Sequence, residues 1–160
     1  MLKQKTMKKL VYIVISLLIS NSAFSQTNYT PTGLWRFTNN NDTIYFYLKK
    51  DQISLSEKNY QILIGFHKYV KNSNVIESTF QDTNTVYSNN KFSILIYDNS
   101  NSINPYEGNI QDINLNNKRY IFLTKESDST INVYLTYLRG VRKNYPYGFT
   151  LPRHFTLTRQ

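Results

Sequence analysis

The sequence predicts an all-β fold, an antiparallel up-and-down barrel of eight or nine strands, on three observations. Apolar and polar residues alternate with a period of two through most of the chain after residue 33. The alternating runs are short, rich in β-branched and aromatic residues, and separated by clusters of Asn, Ser and Asp that favour turns. No stretch repeats apolar residues at helical spacing for more than a turn.

The first element is not a strand. Lys3, Lys5, Lys8 and Lys9 form a basic leader before the apolar run LVYIVISLLI (Leu10 to Ile19), and SNSAFSQ follows. Ala23 and Ser25 stand at the small-residue positions of a cleavage site before Gln26, so residues 1–25 are read as a signal peptide. The apolar run is too short for a membrane span, which needs about 20 residues. Removing 25 of the 160 residues leaves 135, enough for one domain over 26–160. The expected location is outside the cytoplasm, periplasmic or secreted. The chain has no cysteine, which excludes disulfides, thiolate metal sites and a lipid-bearing cysteine. No stable membrane anchor is therefore expected.

The strands follow in order. GLWRF opens the first, over 34–38. In TIYFYLKK (43–50), Ile44, Phe46 and Leu48 share one face while Tyr45, Tyr47 and Lys49 share the other. A short strand near 53–56 is a further candidate. In QILIGFHKYV (61–71), Ile62, Ile64 and Phe66 alternate with Leu63, Gly65, His67 and Tyr69, and the first set is assigned to the interior. Further strands are expected at 74–80, 92–97, 119–125, 131–139 and 153–159. TNNND, KNSN, YSNN and KESDST read as turns, and Asp98 to Asp112 as the longest loop. The close spacing over 61–80 and 119–139 predicts sequential hairpins, and a meander of this length closes on itself.

Gly33 and Trp35 at the entrance to the first strand, with Arg159 on the last, resemble the lipocalin and fatty-acid-binding superfamily of barrels. That resemblance implies that Trp35 plugs one barrel end with a guanidinium stacked over it, Arg159 first and Arg153 behind it. The second and third short motifs of true lipocalins are not recognisable. A signal ending FSQ, then GLWRF, DTIYFYLKKD, LIGFHKYVKNSN and the terminal GFTLPRHFTLTRQ resemble a lipocalin-like family of small exported Bacteroidetes-type proteins of unknown function. This second resemblance implies the barrel and no established activity.

The chemistry of the sequence is sparse. HExxH, Gly-x-Ser-x-Gly, P-loop and Rossmann patterns are all missing, and only two histidines occur, His67 and His154. Both are read as structural or surface strand residues. Glu126 and Asp128 fall in one turn and are read as solvated, while Glu77, Glu107 and Asp112 are the carboxylates that a glycosidase cleft could bring together. No catalytic residue, metal ligand or cofactor is assigned. Four of the 19 basic residues belong to the leader, leaving 15 against 10 acidic, a mild excess that does not mark a nucleic-acid binder. Arg139, Arg142, Lys143, Tyr145 and Tyr147 interleave charge with rings in one loop. The function expected is non-enzymatic binding of a small apolar or amphipathic ligand in the barrel, lined by Phe46, Leu48, Ile64, Phe66, Phe122 and Leu135. The alternative is a surface module that contacts glycan or protein through its loops.

Overall fold

A computed structural model describes residues 30–98, 106–138 and 148–160. The leader and the basic loop with Arg139, Arg142, Lys143, Tyr145 and Tyr147 lie outside the described residues. Nine strands run in chain order: β1 (Gly33–Asn39), β2 (Asp42–Leu55), β3 (Lys58–Lys71), β4 (Asn74–Ser78), β5 (Ile94–Asp98), β6 (Tyr106–Asp112), β7 (Asn117–Lys125), β8 (Thr130–Tyr137) and β9 (His154–Arg159). Every pairing is antiparallel, and β1 pairs with both β2 and β9, so eight strands close into an up-and-down barrel. β4 is additional. It pairs with β3 at residues 68–71, while β5 pairs with β3 at 62–65, and β2 occupies the whole opposite edge. β4 and β5 thus lie in line along one edge of β3, and the chain between them loops out.

Two hairpins turn through consecutive left-handed residues, Ser56 and Glu57 (φ 47° and 68°) and Asn72 and Ser73 (φ 50° and 64°). That is the backbone of a two-residue turn whose twist matches the strands it joins. The β2–β3 and β7–β8 turns share one end of the barrel with Gly33 and Arg159, which we call the entry end. The β1–β2, β3–β4 and β6–β7 turns and residues 148–153 form the far end.

Register fixes which residues face inward. Phe46 pairs with His67 and Leu48 with Gly65, so β3 presents Leu63, Gly65, His67 and Tyr69 to the interior. Around the ring these meet Trp35, Ile44, Phe46, Leu48, Ile94, Ile96, Ile110, Ile121, Leu123, Val133, Leu135, Phe155 and Leu157, all buried.

This corrects the assignment of Ile62, Ile64 and Phe66 to the interior. They oppose Asp51, Lys49 and Tyr47 on the outer wall. There they form a second core, covered by Phe80, Tyr87 and Phe92 of the looped-out segment 79–93, with Leu95 beside them. Lys49 Nζ pins the segment by donating to the carbonyls of Thr83 (2.7 Å) and Thr85, and Asp51 accepts from the Tyr87 N–H at 2.7 Å. Phe122 also faces outward, beside Glu107 and Tyr134. Of the six expected lining residues, only Phe46, Leu48 and Leu135 point inward. The expected 98–112 loop contains strand β6, whose inward residues are Tyr106, Gly108, Ile110 and Asp112. The candidate strand near 53–56 is the continuation of β2.

Candidate functional site

The two barrel ends are built from different side chains. At the entry end Gly33 takes φ 108°, a conformation that suits glycine and lets the incoming chain bend across the opening. Pro31 then offers its carbonyl to Trp35 Nε1 at 2.9 Å, which satisfies the one polar atom of a fully buried indole. Arg159 pairs with Trp35 across β1 and β9, and its Cζ lies 4.8 Å from the ring. Gly33, Trp35 and Arg159 therefore form one structural unit.

Midway between the ends the interior is tight around Gly65. A Cβ on Gly65 would lie 2.5 Å from Leu48 Cδ2 and 2.9 Å from Ile94 Cβ, so not even a methyl fits there without displacement.

The far end is polar. The buried polar or charged side chains among the described residues, His67, Glu77, Thr79, Ser93, Asp112, Asn117 and Arg119, lie between the level of Gly65 and that end. They come from β3, β4, β6 and β7 and from the ends of segment 79–93. His67 Nδ1 is 2.8 Å from Ser93 Oγ, and the ring tautomer sets which of them donates. His67 Nε2 is 3.1 Å from Glu77 Oε1, although not aligned on it as a hydrogen bond. Glu77 Oε1 instead accepts the Ile113 N–H, tying β4 to the β6–β7 turn.

Ser93, His67 and Glu77 stand in the order of a nucleophilic relay. The Ser93 hydroxyl, however, is also 3.1 Å from Thr79 Oγ1 and 3.4 Å from the Gly65 carbonyl. Thr79 and Ser93 are the two points where segment 79–93 leaves and rejoins the wall. The His67 cluster closes the gap between β4 and β5, and that role accounts for its burial.

Across the opening, residues 148–151 lie against β6 and β7. Asp112 accepts the Leu115 N–H at 2.8 Å and the Thr150 N–H at 2.5 Å, and Asn117 Nδ2 donates to the Gly148 carbonyl at 2.8 Å. Arg119 lies between two rings, its Cζ 3.5 Å from the Tyr137 centroid and 5.4 Å from that of Phe149. At the same end Tyr69 faces inward beside Ile44. Burial first, and then the Asp42 carboxylate that its phenol hydrogen-bonds, push its pKa up.

The three carboxylates read as a possible cleft do not converge. Glu77 and Asp112 share the far end, but Glu107 lies outward, opposite Phe122. Among the described residues no group of three or more His, Cys, Asp or Glu could hold a metal ion. No helix of the described residues is long and apolar enough to cross a membrane, a statement that does not extend to strands. Sequence reasoning missed Arg119, Asn117 and Tyr137. The signal was present: in NKRYIFLTK, period two places Asn117 and Arg119 on the face of Ile121 and Leu123.

A family model, described as a family of unknown function (DUF6705), matches residues 7–160, and the chain belongs to that family. No curated protein and no solved structure matches the chain.

Proposed function

We propose that this is an exported, non-enzymatic binding protein that takes a small amphipathic molecule at the polar end of its barrel. The observation that carries the reading is the segregation of the described buried polar side chains towards one end of an otherwise apolar barrel. Polar groups gathered beside apolar walls are the composition of small-molecule sites, and closing the gap between β4 and β5 accounts for the His67 cluster but not for the buried guanidinium of Arg119. An eight-stranded barrel holds either its own side chains or one small ligand. The packing around Gly65 argues that the ligand sits shallow, near the rim, with its polar group among these residues.

A second reading, a surface module, is favoured by one feature. Phe122, Tyr134 and His154 form a row across the outer wall of β7, β8 and β9, with ring centroids 6.3 and 6.1 Å apart and Tyr134 46% exposed. Native mass spectrometry of protein purified from its own host, followed by titration with a fluorescent fatty-acid analogue, separates the two. Saturable one-to-one binding, displaced by unlabelled lipid and weakened by Tyr137→Ala but not by Tyr134→Ala, is the expected result. No saturable binding to delipidated protein would overturn it and leave the outer row as the working surface.

A further inference from the structure

We infer that Arg119 is an anion-binding residue, and that the ligand at the polar end carries an oxyanion, either a carboxylate or a phosphate ester. The inference rests on the reading of that end as the binding site and names the chemistry the site selects.

Arg119 is only 4% exposed and its inward position on β7 is fixed by pairing with Ile110 and Tyr137. With Tyr137 on the guanidinium at 3.5 Å and Phe149 at 5.4 Å, its remaining capacity is the in-plane N–H fork. That fork is under-used. Nη2 reaches the Gly148 carbonyl at 3.4 Å, and Nε is buried with no hydrogen-bond partner among the described residues.

No described carboxylate stands within ion-pair distance of the guanidinium. Residues 1–29, 99–105 and 139–147 contain no Asp or Glu, so the stretches outside the described residues can bring none. Asp98 belongs to the entry end, where it pairs with Tyr106. Asp112, the nearest by register, accepts two backbone N–H groups, and Glu77 accepts the Ile113 N–H beside His67. A second cation is close: Arg153 Cζ lies 5.6 Å from the same Tyr137 ring.

A buried guanidinium with no carboxylate paired directly to it and an unsatisfied N–H is unfavourable, and a neutral apolar side chain of similar volume is the more stable choice for a barrel that binds nothing. A planar guanidinium with a free edge matches a carboxylate or phosphate through two parallel hydrogen bonds. Retaining Arg119 therefore exchanges stability for recognition.

The test compares octanoate, octyl phosphate and octanol by calorimetric titration of the delipidated chain, in the parent and in Arg119→Gln and Arg119→Lys. The expected result is that at least one anion binds the parent roughly tenfold or more tighter than octanol. Arg119→Gln should erase that preference and raise the melting temperature of the ligand-free protein by about 2–8 °C. Arg119→Lys should keep part of the preference, and it carries the test if the Gln variant does not fold. Which anion wins identifies the headgroup. Equal binding of octanol and both anions to the parent, or an anion preference unchanged in Arg119→Gln, would overturn the anion site while leaving the polar-end binding site standing. If none of the three binds, the binding site itself is lost.

Discussion

The entry end and the far end of this barrel solve the same problem, closing an open ring of strands, in opposite ways. At the entry end a single large aromatic fills the opening. Its one polar atom is satisfied by Pro31, and its face is covered by the exposed Arg159. Towards the far end seven polar side chains of the described residues are buried, held by backbone N–H groups and by one another, and a guanidinium is left under-paired. The first arrangement gains stability from burial. The second loses some to desolvation; the gap between β4 and β5 accounts for the His67 cluster, and nothing in strand pairing requires the buried guanidinium of Arg119. That guanidinium is the reason the proposed ligand site is put at the far end.

The largest effect that could break this contrast is at the entry end. Trp35→Ala should destabilise the protein by about 3–5 kcal/mol in denaturant melts, as for other buried aromatic truncations. A loss below about 1 kcal/mol would show that the plug is not what closes that end.

The middle of the barrel comes next. Gly65→Ala should cost about 1–3 kcal/mol through overlap with Leu48 and Ile94. An Ala accepted without loss would mean that the interior has slack, and a deep apolar pocket would become tenable again.

At the far end, Asp112→Asn leaves one carbonyl oxygen where two oxygens accept the Leu115 and Thr150 N–H groups. A cost of about 1–2 kcal/mol is expected. Faster hydrogen exchange at Thr150 than at Leu34 would show that the loosening is confined to that end.

The smallest effect lies on the entry-end surface. The hydrogen bond from Lys125, then its charge, and more weakly Arg159, hold the Asp128 carboxyl below its ordinary value of 3.8. A depressed folded-state pKa contributes stability that is present above the ordinary value and is lost as pH falls through the depressed one. Because Asp128 is fully exposed, solvent screens the pair and the melting temperature should hardly respond. Carboxyl resonances followed by NMR should show Asp128 titrating below 3.8 and moving back towards it in Lys125→Met.

The strands and hairpins were legible because one face of most of them is solvated, and alternation then marks the other. β3 defeated that reading. Ile62 through His67 are all buried, since segment 79–93 covers the outer wall, so period two offers two apolar faces and no means of choosing. A one-residue change of register exchanges those faces, and the pairing of Leu48 with Gly65 makes the choice. β6 was hidden for a different reason. Its inward residues include Gly108 and Asp112, and Asn109 and Gln111 lie between, a composition that signals turns.

By itself the sequence determined the all-β class and the hairpins on either side of β6, because these depend on local alternation and turn chemistry; the placing of Trp35 at a barrel end came from a resemblance. The tertiary structure alone decided that Ile64 and Phe66 belong to an outer core and that His67, Glu77, Asp112 and Arg119 meet at one end. Those four residues lie on three strands and an edge strand between positions 67 and 119, and local alternation alone does not show that they meet. Only closure of the ring, which sets every strand's height and face relative to the others, brings them out of water together.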